Sequence, residues 1–254
     1  MIQATFELAT TATQRVVRAL DGARTPAAQH VFTQLYADAA RDVAQHCDKE
    51  LQAGRNLGAL HGVCLTIKDN LDVAQETTMA GSVVCAGEAS ALHDAPVLQR
   101  LRDAGAVVLG KTNMSEFAFS GVGINPHHGT PANPGDPAHA RVPGGSSSGA
   151  AVSVALGMAE VGIGTDTGGS IRIPAALCGL VGYKSTQARI PCTGVMELSR
   201  TLDTVGSITR SVRACLAVDA VLSQQPLPTD LANLRGLRFA VPQTLMMDDV
   251  DATV

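Results

Sequence analysis

Tryptophan is absent from the 254 residues, and aromatic residues make up only 3% of the chain. With hydrophobic residues at 45%, the core of a globular protein has to be assembled from alanine, valine and leucine. Excess positive charge is also missing. A formal net charge of −4 leaves no electrostatic footprint for nucleic acid, so no direct nucleic-acid partner is expected. No apolar run approaches the roughly 20 residues needed to cross a bilayer, which argues against a membrane partner. The opening stretch MIQATFELATTATQRVV has no basic segment followed by an apolar one, so it does not read as a signal peptide. The six cysteines (Cys47, Cys64, Cys85, Cys178, Cys192, Cys215) are scattered without a CxxC, as expected for reduced, mostly buried thiols of a cytoplasmic protein. The seven histidines show no HExxH or His/Cys ligand spacing, and His127-His128 reads as loop surface, so no metal is expected. No histidine follows position 139. That gap excludes a Ser…Asp…His triad for any serine beyond it in this segment.

What the chain does hold is a concentrated stretch from Arg141 to Lys184. It contains two glycine-framed serine clusters, Gly144-Gly145-Ser146-Ser147-Ser148-Gly149 and Gly164-Thr165-Asp166-Thr167-Gly168-Gly169-Ser170. Glycine pairs permit close backbone approach and convergent N–H groups. A serine at the end of such a run can sit beside a charge-stabilising pocket, which is what acyl transfer needs. The apolar segments Ala150–Leu156 and Val161–Ile163 lie between the clusters and argue for packed structure rather than linker.

Elsewhere the pattern alternates between helix and strand. Val16, Val17 and Leu20 share a helical face that ends at Gly22 and Pro26. Val31, Leu35, Ala39 and Val43 recur every four residues, which predicts an amphipathic helix over Ala27–Leu51. A strand is expected at Val63–Ile67, a helix capped by Asp94 and running through Arg102, a strand at Ala106–Leu109, and a helix from near Ser115. Gly121–Pro143 reads as a loop, and Thr193–Ser211 is ambiguous. A helix over Arg213–Leu222, a loop over Gln224–Asp230 and a strand over Leu237–Val241 complete the reading. The alternation implies α/β layering around a mainly parallel sheet.

Two pattern matches mislead. Gly105–Thr112 fits the P-loop expression, but its variable positions Ala-Val-Val-Leu are themselves a strand rather than a phosphate loop, so Lys111 reads as a strand-end charge. Gly145–Gly149 fits a nucleophile elbow centred on Ser147, yet no hydrophobic strand precedes it. Without histidine, a desolvated lysine is the remaining common base for a serine. Lys68, at the end of an apolar strand, has the most suitable setting. A solvated strand-end lysine fits the same residues, and the residues alone leave both readings open.

The run GGSSSG…GTDTGGSIRIPAALCGLVGYK, with HGVCLTIKDN ahead of it, resembles the amidase signature family of serine hydrolases. The resemblance extends from about His61 to Arg210, through GAVVLGKTNMSEFAFSG and TLDTVGSITRSV. It implies an α/β fold, an α/β/α sandwich with a mixed central sheet covered by helices. It also implies one domain over residues 1–254, with a helical N-terminal segment (1–55) and a catalytic core (56–254), lacking the C-terminal part that family members normally carry. By motif position Lys68 matches the family's lysine, Ser146 its cis-serine and Ser170 its nucleophile. The serine separation, 170 − 146 = 24, agrees with the family's spacing. Backbone N–H groups of Thr167, Gly168, Gly169 and Ser170 would form an oxyanion hole, Asp166 and Arg172 would brace that loop, and Ala118 and Ser147 would line the pocket. Tyr183-Lys184-Ser185 and Ser148-Gly149 depart from the family's usual Leu-Lys-Pro and Gly-Gly steps without touching the triad. The implied activity is cleavage of the carbon–nitrogen bond of a small linear amide through an acyl-enzyme on Ser170, without a cofactor. The alternatives are the glutaminase component of a glutamyl-tRNA amidotransferase and a catalytically silent scaffold. The partners implied are a small-molecule amide, a second copy in a homodimer, and a second chain or segment completing the fold.

Overall fold

The computed structural model describes residues 5–6, 10–226, 235–238, 240, 248 and 250. A six-stranded mixed sheet organises them, in the order β1-β3-β2-β4-β6-β5. The strands are β1 (Phe32–Leu35), β2 (Cys64–Lys68), β3 (Val107–Thr112), β4 (Val161–Asp166), β5 (Val181–Lys184) and β6 (Thr204–Thr209). The helices are α1 (Ala12–Gly22), α2 (Ala37–Gln52), α3 (Pro96–Asp103), α4 (Ser148–Ala155), α5 (Arg172–Leu177) and α6 (Val212–Ser223).

Only the centre of the sheet is parallel. β2 runs parallel to both β3 and β4, whereas the β1–β3, β4–β6 and β5–β6 pairs are antiparallel. The expectation of a mainly parallel sheet therefore fails at both sides. β5 returns to β6 through residues 185–203 without a crossover helix, and a parallel neighbour would need that crossover. Side chains of the central strands alternate between two cores. Leu65, Ile67, Val108 and Ile163 pack with Val97, Leu98 and Leu101 of α3 and Val218 and Leu222 of α6. Cys64, Val107 and Leu109 face the other way, against α1, α2 and α4. Central strands buried on both faces read as continuous apolar runs, which is why β2 and β3 stand out in the sequence.

The N-terminal segment is not wholly helical. Within the expected helix Ala27–Leu51 the chain forms β1, paired with β3 through Gln34↔Lys111 and Leu35↔Gly110, and only then enters α2. The buried face of α2 is Ala40, Ala44 and Cys47, while Leu35 and Val43 are 39% and 38% exposed. Asp94 does not cap α3; its carboxylate accepts the Ala74 N–H at 2.8 Å and pairs with Arg102 at 2.9 Å. Near Ser115 there is a single 3-10 turn, Glu116–Ala118, in place of a helix. The ambiguous Thr193–Ser211 contains β6, and the expected strand Leu237–Val241 lies largely outside the described residues, as does most of the loop Gln224–Asp230.

α4 is apolar all round, and each of its first seven residues is buried. Two glycines let it lie this deep. A Cβ on Gly149 would sit 2.3 Å from the Val31 carbonyl oxygen and 2.7 Å from the Asn113 amide nitrogen, and one on Gly164 would sit 2.6 Å from Ser147 Oγ. Among the described residues, no helix is long and apolar enough to cross a membrane.

Candidate active site

The C-terminal ends of β2 and β4 meet the N-terminal end of α4. β2 delivers Lys68, whose side chain is completely buried. The loop entering α4 delivers Ser146, also completely buried, through a cis Gly145–Ser146 peptide. Lys68 Nζ lies 2.7 Å from Ser146 Oγ and 2.7 Å from Thr165 Oγ1. Thr165 also receives the Asn70 Nδ2 donor at 3.2 Å.

Burial dominates the acid–base behaviour of this lysine. Removing an ammonium from water without a carboxylate in contact pushes its pKa down to about 7, although the more distant Asp166 and Asp203 charges pull the other way. A solvated strand-end lysine is thus not what the fold provides.

Backbone hydrogen bonds tie the two serine clusters together. Ser147 N–H donates to the Ser170 carbonyl at 3.2 Å, and Ser115 N–H donates to the Ser146 carbonyl at 3.1 Å. Ser170 is 7% exposed, and its hydroxyl has no hydrogen-bond partner among the described residues.

The loop carrying Ser170 is wrapped around Asp166. Its Oδ1 accepts from Gly169 N–H at 2.8 Å and Arg172 Nη2 at 2.9 Å, and its Oδ2 accepts from Ile171 N–H at 3.1 Å, Arg172 N–H at 3.2 Å and Arg172 Nε at 3.0 Å. Burial alone would raise this carboxyl, but the guanidinium and the backbone donors hold it below the usual carboxylate range. Asp166 and Arg172 therefore brace the loop between β4 and α5.

Two of the residues expected to meet substrate do not point that way. Gly169 donates its N–H to Asp166 Oδ1 at 2.8 Å, so that donor is already engaged within the loop. Ser147 is completely buried, and its hydroxyl is 3.4 Å from the Thr165 carbonyl beneath α4. Close packing of Ser147 on Gly164 goes with that inward direction of its side chain. Ala118, with φ +59°, is buried beside Ala80 and Met114 at the turn that holds Ser146.

Four residues that the sequence reading passed over take part in this geometry: Thr165, Asn70, Ser115 and Asp203. Asp203 accepts from Thr167 Oγ1 and, at 2.8 and 3.0 Å, from the N–H groups of Leu198 and Ser199. It also borders a cavity of about 260 Å³ lined by Ile190, Cys192, Val195, Glu197 and Arg200. All four lie inside the motifs KDN, GKTNMSEF, GTDTGG and TLDTVG, so the signal is present, but nothing in those runs ties a threonine or asparagine to a lysine. Lys111, of the false P-loop, is buried in β3 with its Nζ 3.3 Å from Glu76 Oε2.

Residues 15–254 match the family model described as Amidase. The chain belongs to the amidase family. It is 42% identical over 224 residues to the 2-amino-5-chloromuconic acid deaminase of Comamonas testosteroni, covering 85% of this chain and 47% of that protein. The A component of the glutamyl-tRNA(Gln) amidotransferase of Salinibacter ruber is 36% identical over 236 residues, covering 87% of this chain and 45% of that one. Among solved structures, the native peptide amidase of Stenotrophomonas maltophilia superposes with a TM-score of 0.76 at 39% identity, over 87% of this chain and 46% of that chain. This amidase-family chain thus spans about half the length of the curated relatives it matches. The α/β architecture and the family agree with the fold and the resemblance read from the motifs.

Proposed function

We propose that this amidase-family chain carries the catalytic half of a carbon–nitrogen hydrolase that acts on a small linear amide. The observation that carries the reading is the 2.7 Å contact between a fully buried, easily deprotonated Lys68 and Ser146, on a loop whose Ser147 N–H is bonded to the Ser170 carbonyl. Ser170 Oγ attacks the amide carbonyl. Its proton passes to Ser146 as Ser146 gives its own to neutral Lys68. The N–H groups of Thr167, Gly168 and Ser170 stabilise the oxyanion, each such donor contributing on the order of 3 kcal/mol. The relay then protonates the leaving amine, and water releases the acyl group from Ser170.

Free thiols at all six cysteines fit a reducing, cytoplasmic setting. Since relatives are about twice as long, a second chain or a further segment would complete the pocket, and a homodimer is a separate assembly open to the chain. A second reading, the glutaminase component of a tRNA amidotransferase, draws support from the 36% identity to the Salinibacter ruber protein. Ammonia release from a panel of simple amides tests the first reading. Turnover by the full-length protein without companion subunits, lost in Ser170→Ala, is expected. Activity only on glutamine and only with co-purifying partners would favour the second, and no turnover or labelling of Ser170 in either setting would contradict both.

A further inference from the structure

The relay works in one direction only if the lone pair of neutral Lys68 faces Ser146. A neutral amine has two N–H donors and one lone pair. Its two close neighbours, Ser146 Oγ and Thr165 Oγ1, are both hydroxyls at 2.7 Å, and either can donate to that lone pair. If Thr165 donates, Lys68 must give an N–H to Ser146, and the base is turned away from the proton it has to collect.

Asn70 supplies the missing asymmetry. Its carboxamide is buried and adjoins Thr165 Oγ1 at 3.2 Å through Nδ2, while its Oδ1 is buried with no partner. A half-turn of the carboxamide exchanges its two ends. Oδ1 then accepts the Thr165 hydroxyl hydrogen and is no longer without a partner, while Nδ2 takes the position that Oδ1 held. With its hydrogen spent on Asn70, Thr165 can only accept from Lys68.

We infer that Asn70 and Thr165 are positioning residues that set the polarity of the proton wire, running Ser170 O–H to Ser146 O–H to Lys68 N–H to Thr165 O–H to Asn70 Oδ1. The inference rests on the reading of Lys68 as the base. No proton leaves the wire at its Asn70 end; when Lys68 takes up a proton its bond to Ser146 reverses, while it still donates to Thr165 and Thr165 still donates to Asn70. The charged groups that act on this amine are Asp166, at the end of β4, and Asp203, ahead of β6. Asp69, next in the chain, turns its carboxylate to the Gly81 N–H.

The test is the rate of Ser170 modification by a fluorophosphonate, followed from pH 5 to 10 on the full chain. A midpoint in that profile does not depend on how much of a variant is folded. Asn70→Asp places a carboxylate against the wire, favours charged Lys68, and is expected to move the midpoint to higher pH. Thr165→Val removes an acceptor of the ammonium, moves the midpoint to lower pH, and lowers the plateau rate by roughly tenfold or more. Thr165→Ser restores both. Midpoints equal to that of the parent protein in Asn70→Asp and Thr165→Val, with only the rates reduced, would overturn the inference and leave these residues a structural role. Unchanged labelling in Lys68→Ala would instead remove the underlying reading of the base.

Discussion

Lys68 offers the sharpest consequence of burying an amine without an adjacent carboxylate. Its pKa falls from 10.5 to about 7, and at about 1.4 kcal/mol for each tenfold change in proton affinity the charged form is disfavoured by ~5 kcal/mol. At pH 8 about nine-tenths of such a group is neutral, against about three in a thousand for an ordinary lysine. A rate that needs the neutral amine should therefore rise about tenfold per pH unit below 7 and level off above 8. The assay is initial-rate amide turnover, or fluorophosphonate labelling of Ser170, in buffers of constant ionic strength. The same burial bears on stability. Between pH 7 and 10.5 the unfolded chain binds a proton at Lys68 that the folded chain does not, so the contribution of this group to stability rises with pH across that window. Substitution by methionine removes the titration, and Lys68→Met should flatten that part of the stability–pH curve while abolishing turnover. A rate that continues to climb through pH 9 and 10, or one independent of pH, would refute the reasoning.

Other consequences follow from packing and from the loop. Ser170→Ala should abolish labelling while leaving the thermal midpoint within a degree or two, since the hydroxyl has no internal partner, a change of about 0.5 kcal/mol or less. Asp166→Asn exchanges an acceptor of five donors for a weaker one and should lower turnover by at least roughly tenfold, with Arg172→Lys showing a smaller loss because it can keep one contact. Gly149→Ala forces a methyl group onto the Val31 carbonyl and should cost about 1–3 kcal/mol in denaturant unfolding.

Legibility of the sequence tracks how locally each feature is determined. β2 and β3 are visible because strands buried on both faces are apolar at every position. The catalytic candidates are visible because long motifs fix them in order along the chain, and Lys68, Ser146 and Thr165 then meet across 97 residues of separation through the sheet. Ala27–Leu51 misleads because Val31, Leu35, Ala39 and Val43 happen to repeat at helical spacing, while the face that α2 buries is made of Ala40, Ala44 and Cys47, small residues with little hydropathic contrast. Pairing of Gln34 and Leu35 with β3 overrides the local preference there. The inward turn of Ser147 and the capture of the Gly169 N–H by Asp166 depend on backbone direction, which composition does not encode. Thr165 and Asn70 are silent for a related reason: their importance lies in contacts to a lysine on another strand or turn.

Mass-spectrometric mapping of the fluorophosphonate adduct tests the central claim most directly. A stoichiometric adduct on Ser170, absent in Ser170→Ala and formed orders of magnitude more slowly in Lys68→Ala and Ser146→Ala, is the predicted result. An adduct on a different serine, or labelling of Ser170 at the parent rate without Lys68, would contradict it.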